Sequence, residues 1–127
     1  MKKRLLSTTA LFSLLIVIIV MSADAGILPR PLGKLYAYPG GDKAGHFLLF
    51  GILSFLLNKS ALTLFPRRSP ARVFLTVSLL LVILIGLEEW SQSLFPSRTM
   101  SLSDLLASYA GVSLFALLAY RHTRSAI

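Results

Sequence analysis

Four apolar blocks recur along this chain, each close to the roughly 20 residues that a helix rising about 1.5 Å per residue needs to cross about 30 Å of hydrocarbon. The first is Leu5 to Met21, LLSTTALFSLLIVIIVM, and the second runs from about Ala44 to Asn58, AGHFLLFGILSFLLN, reaching Phe65 if Lys59 snorkels to an interface. The third spans Val73 to about Trp90 and the fourth Leu102 to Tyr120. Proline and glycine punctuate the connections: Pro29, Pro31 and Pro39-Gly40-Gly41, then Pro66 and Pro70, then Pro96. The expectation is an all-α membrane protein, a bundle of four transmembrane helices forming one domain over 1–127, and a hydrophobic content of 55% against 14% charged agrees with it.

Block one has two readings. It is a first transmembrane helix over 5–21, or a signal peptide, because Lys2, Lys3 and Arg4 precede it and Ala23-Asp24-Ala25 follows as an A-x-A pattern. The apolar run exceeds the ~7 to 15 residues of an ordinary signal core, which favours the retained helix; cleavage would leave three spans.

A formal net charge of +8 raises the question of nucleic acid. The basic residues lie at the ends of the apolar blocks and form no stripe with interleaved aromatics, so no nucleic-acid partner is expected. Their use is topological. Lys2, Lys3 and Arg4, then Lys59, Arg67, Arg68 and Arg72, then Arg121 and Arg124 fall on one side; the first loop has Arg30, Lys34 and Lys43, and the third has Arg98. An excess of Lys and Arg marks the cytoplasmic side, which places both termini there and the motif-bearing loops outside. The absence of cysteine excludes disulfides, thiolate metal sites and a cysteine nucleophile.

Under that topology the residues out of place in an apolar chain converge on the outer surface. Asp42, Lys43 and His46 open the second span, Glu88, Glu89 and Gln92 close the third, Arg98 lies in the short loop, and Asp104 opens the fourth, one turn before Ser108. A carboxylate left in hydrocarbon costs roughly 2.5 to 3.5 kcal/mol, so these groups should face one another or water. The partners expected are Arg98 for Glu89 or Asp104, and Gln92 for Glu89, with Glu88 at the water interface. Ser108, Gly111 and Ser113 are small enough for helix four to approach its neighbours closely.

Plainer roles stand beside these. Ser101-Leu102-Ser103-Asp104 is an S-x-x-D capping box, Asp42 is placed as a solvated acid at a helix start, and Arg98 as an interfacial anchor. One clear imidazole is too few for a metal site, and no cofactor is expected. No G-x-S-x-G elbow is present, and GGDKAGH lacks the spacing of a phosphate-binding loop. His46, Glu89 and Asp104 are the candidates for acid, base or water-activating roles.

DKAGHFLLFGIL at 42 to 53 with EWSQSLFPSRTMSLSDLLASYAG at 89 to 111 resembles the VanZ-like membrane proteins of bacteria. The matching positions are Asp42, Lys43, His46 and Phe47, then Glu89, Gln92, Pro96, Arg98, Asp104 and Gly111; Ser108 stands where the family often has asparagine. The resemblance covers about half the chain, within the three-helix stretch 42–120. It implies a multi-pass protein of the bacterial cytoplasmic membrane, related to proteins of glycopeptide (teicoplanin) resistance. The functional expectation is an outward-facing polar site of Asp42, Lys43, His46, Glu89, Gln92, Arg98, Asp104 and Ser108 that binds or modifies a cell-envelope component such as a lipid-linked or cell-wall precursor. The alternative is a non-catalytic bundle in which the same groups lock helix register or dock a partner. Transport is disfavoured, since the inner halves of the spans have almost no ionisable residues.

Overall fold

The structure, a computed structural model, describes residues 2–37, 40–96 and 100–125, apart from the side chains at 32, 36, 37, 124 and 125. Helix α1 is Lys2–Asp24, α2 Arg30–Ala37, α3 Gly41–Leu64, α4 Pro70–Ser91, extended by a 3₁₀ turn at Gln92–Leu94, and α5 Leu102–Ser125. Four of these are long and apolar enough to cross a membrane. The molecule is thus an all-α bundle of four spans, and no strand occurs among the described residues.

One helix takes the longer of the two extents that the sequence leaves open, and one connection holds a helix that the sequence does not show. Helix α3 runs through Lys59 to Leu64 because the lysine lays its ammonium over the Phe55 ring, 5.6 Å from its centre. The first connection holds a short helix, α2, which begins at Arg30-Pro31; proline fits a first helical turn, where its missing N–H is not needed. Helix α3 then starts after Gly40, whose φ of 78° is a left-handed conformation that glycine adopts without strain.

Helices α3 and α5 run parallel and pack most closely. At Gly111 a methyl group would collide with the backbone of Phe47, starting at its carbonyl oxygen, so α5 lies directly against the α3 main chain. The seam continues through small residues, Ser108, Val112, Ala116 and Ala119, all buried. Such residues drive helix association where lipid offers no hydrophobic incentive, because close backbones gain dispersion contacts. One level further in, the Phe115 ring lies over Gly51 and meets Phe47 edge-on at 5.9 Å.

Polar contacts reinforce this pair and tie the remaining helices to it. Ser54 Oγ donates to the Val112 carbonyl (2.9 Å), and Asn58 Nδ2 donates to the Ser54 carbonyl (2.9 Å). Tyr109 OH donates to the Val82 carbonyl (3.0 Å), joining α5 to α4. Helix α1 sits on α3 through Thr9 Oγ1 and Ser60 Oγ (2.8 Å) and through Ile16 in the apolar core. Most of the outward surface is leucine and isoleucine, including Leu75, Leu79, Leu80, Ile83 and Leu87 on α4, as lipid contact requires.

Gly111→Val tests the α3–α5 approach. Overpacking of this kind typically costs about 1–3 kcal/mol, so the detergent-solubilised variant should unfold at a clearly lower temperature; an unchanged midpoint would mean that the two backbones do not meet at this point.

Candidate functional site

Because α3 and α5 are parallel and begin at the same end of the bundle, their first two turns stand side by side. Helix α3 contributes Asp42, Lys43 and His46 there, and α5 contributes Asp104 and Ser108. The close contact at Gly111 brings Ser108 Oγ to 3.1 Å from His46 Nδ1. The same hydroxyl donates to the Asp104 carbonyl one turn back (3.1 Å), so it accepts from Nδ1–H. The other ring nitrogen, Nε2, lies 3.8 Å from Asp104 Oδ2, beyond hydrogen-bond reach, and forms an ion pair with it only when the ring is protonated. The imidazole is fixed from below by Phe50, stacked on it at 5.8 Å between centroids. His46, Ser108 and Asp104 are 5%, 1% and 8% exposed.

Lys43 closes the group from the solvent side. Its ammonium lies 3.9 Å from Asp104 Oδ1 and 3.7 Å from Asp42 Oδ2, between two carboxylates, and it is half exposed. Asp104 Oδ1 itself is buried without a hydrogen-bond partner. A carboxylate oxygen accepts up to two hydrogen bonds and is costly to leave dry, so this atom has unused capacity at the rim of the bundle.

Asp104 is available because of what happens at the start of α5. In a complete capping box Ser101 Oγ would accept from the Asp104 N–H while the Asp104 carboxylate returned to the Ser101 N–H. Only the first half forms, at 3.3 Å. The Ser101 N–H donates instead to Glu89 Oε1 on α4, at 2.8 Å. Glu89 therefore takes over the capping duty and Asp104 turns toward Lys43 and His46.

Direct contacts sort the residues that the sequence groups together, and Glu89 remains within electrostatic range of His46 and Asp104. Asp42, Lys43, His46, Asp104 and Ser108 form one connected cluster. Glu89, 1% exposed, is bound to the backbone of α5 and serves as a tie between helices. Gln92, expected from the sequence to pair with Glu89, instead donates from Nε2 to both Glu88 oxygens, at 3.0 and 3.1 Å. The reason is helical geometry, since residues 88 and 92 are four apart and stack on one face, whereas Glu89 is turned to α5. Glu88 is accordingly half-buried and hydrogen-bonded to Gln92. Arg98, expected as a partner of Glu89 or Asp104, lies outside the described residues. Among the described residues no group of three His, Asp or Glu side chains is placed to hold a metal ion.

Four buried polar residues among those described, Thr9, Ser54, Asn58 and Ser60, are not among the candidates the sequence offers. Ser54 and Asn58, both fully buried, continue the four-residue spacing of Asp42, His46 and Phe50 down α3. That spacing was the available signal, and the uncharged side chains made it easy to pass over.

Chemically the cluster is not a nucleophile triad, although serine, histidine and aspartate are all present. Ser108 is buried, its proton is directed at a backbone carbonyl, and the ring nitrogen beside it already holds hydrogen, so nothing activates the hydroxyl. The group that faces outward is the half-exposed Lys43 ammonium, a donor, and Asp104 Oδ1, an acceptor, lies buried beside it. His46, held by Ser108 and Phe50, packs next to the carboxylate. Comparison with protein families, curated proteins and solved structures finds no match to this chain.

The division of labour between the glutamates is open to measurement. Glu89→Ala strands the Ser101 N–H and should cost about 1.5–3 kcal/mol, the range for a hydrogen bond to a charged group. Glu88→Ala breaks a same-helix pair and should cost about 0.5 kcal/mol or less. Thermal unfolding of the two proteins in detergent should show that order, and equal midpoints would contradict the capping role.

Proposed function

We propose that this chain is a VanZ-like protein of the bacterial cytoplasmic membrane that binds, at the face opposite its termini, the polar head of a cell-envelope component, one bearing hydroxyl or amine donors. The observation that supports the reading is Asp104 Oδ1, a buried acceptor that makes no hydrogen bond and has the Lys43 ammonium 3.9 Å away as an ion-pair partner. A buried acceptor short of hydrogen bonds is a liability in a protein that only has to fold, and an asset in one that must grip a donor. A carboxylate so placed is also suited to accept a proton from a bound hydroxyl, which makes Asp104 the residue to carry any modification of the head group.

Three further facts support the reading. The sequence motifs from Asp42 to Gly111 resemble the VanZ-like pattern, which associates the chain with glycopeptide resistance proteins. The excess of Lys and Arg around the termini favours a cytoplasmic placement of that end, and so an external site. The cluster lies at the end of the spans, where the head groups of lipids and lipid-linked precursors reside.

A structural reading is favoured by one observation: the contacts His46–Ser108 and Lys43–Asp104 both bridge α3 and α5, and thereby fix their register.

Asp104→Asn separates the two. It keeps the side-chain shape and the backbone caps while removing a buried charge. Under the binding reading the variant reaches the membrane at wild-type levels and melts no lower, yet native mass spectrometry of the purified protein shows the co-purifying envelope component lost. Destabilisation with the component retained would favour the structural reading.

A further inference from the structure

On the side of the bundle away from α5, helices α1, α3 and α4 leave an apolar groove of about 220 Å³. Ile16, Phe50, Leu53, Leu81 and Leu84 are among the side chains that line it, and Glu88 stands at its outer end. From Leu81 to Glu88 the groove follows α4 for about 10 Å, taking ~1.5 Å per residue. It belongs to the half of the bundle that holds the polar cluster. Phe50 is common to both: it lines the groove and stacks on the His46 ring.

We infer that the ligand of the polar cluster is lipid-anchored, and that its hydrocarbon chain lies in the α1/α3/α4 groove while its head reaches Asp104 and Lys43. The inference rests on the proposed binding function and adds the class of ligand to it. Several observations select a chain as the occupant. The groove lies within spans that cross hydrocarbon, where a polar occupant would leave its own groups unsatisfied. The lining is aliphatic and aromatic throughout until Glu88, so the transition from apolar to polar occurs once, at the level where a lipid changes from tail to head. Glu88 is held against Gln92, on the same helical turns that carry Glu89 to the start of α5. Phe50, which lines the groove and stacks on His46, thus sets the groove next to the cluster, with Glu88 at its outer end.

A single ligand then spans two recognition elements of opposite character. The apolar element selects for an anchored molecule, and the Asp104 acceptor selects among head groups. Helix α1 contributes a wall of the groove through Ile16 and Val17 and none of the polar cluster, so its role in recognition is confined to the chain.

The test uses the full-length protein in vesicles of phosphatidylethanolamine and phosphatidylglycerol, doped with a glycosyl diacylglycerol bearing a diazirine midway along one acyl chain. The matching diacylglycerol without sugar reports the tail alone. Leu84→Trp fills the groove from a lipid-exposed position; Val17→Phe fills it from the opposite wall should the first variant fold poorly, and thermal melting checks both. The expected result is photolabelling of the Ile16, Leu81 and Leu84 segments, stronger for the glycolipid. The filled variants should lower that labelling about tenfold, equivalent to about 1.4 kcal/mol, and Asp104→Asn should erase only the preference for the sugar-bearing probe. Labelling spread over Leu79 and Leu80 on the open face of α4, and unchanged in the filled variants, overturns the inference while leaving the head-group reading intact. Groove labelling that the filled variants abolish but that shows no sugar preference and no response to Asp104→Asn overturns the head-group reading, and with it the claim that one ligand occupies both places.

Discussion

The close approach of α3 and α5 at Gly111 is the contact on which the rest of the arrangement depends. In a bilayer two apolar helices gain little by exchanging lipid for each other, and proximity has to come from surfaces that fit. The missing side chain at Gly111 lets the α5 backbone touch Phe47, and Gly51 accepts the Phe115 ring a turn further in. With the axes that near, short side chains are long enough to bridge: a serine reaches a histidine at one level and a carbonyl at another. Were the helices held apart by even one methyl group, His46 would lose its contact with the Ser108 hydroxyl, and Lys43 its reach to Asp104.

A second dependence runs through the backbone of Ser101. Helix starts have N–H groups to satisfy, and a capping box normally satisfies them from within the same helix. Here the job is shared between helices, with Glu89 of α4 accepting from the Ser101 N–H. The exchange joins α4 to α5 and frees Asp104 from a local role. One buried glutamate thus has a structural duty whose result is felt at a different residue, and the two acids, fifteen positions apart, are complementary in what they do.

The spans were legible in the sequence because their signal is simple: a helix in hydrocarbon must be long and apolar, and the run lengths of this chain say where each one lies. The cluster was legible in its membership at Asp42, Lys43, His46, Asp104 and Ser108, since polar residues near helix ends have few places to go. Pairing was less so. Glu88 and Glu89 are neighbours in sequence but point about 100° apart around α4, and which of them Gln92 meets depends on which face α5 covers. That is a packing outcome with no local signature. The half-formed capping box was invisible for the same reason, because its missing partner arrives from another helix. The α2 helix was masked by prolines that read as breakers and that a first turn tolerates.

The distribution of charge has a consequence for the molecule as an electrical object. All five acidic residues, Asp24, Asp42, Glu88, Glu89 and Asp104, lie toward one end of the spans, and the other end carries Lys2, Lys3, Arg4, Lys59, Arg67, Arg68, Arg72 and Arg121 without an acid among them. The bundle is a dipole about as long as the bilayer is thick. In an energised membrane each elementary charge moved across 100 mV is worth about 2.3 kcal/mol, so inverting such a dipole against the field is prohibitive. In any membrane that carries a potential, the two ways of inserting this charge distribution therefore differ in energy without a single dedicated contact.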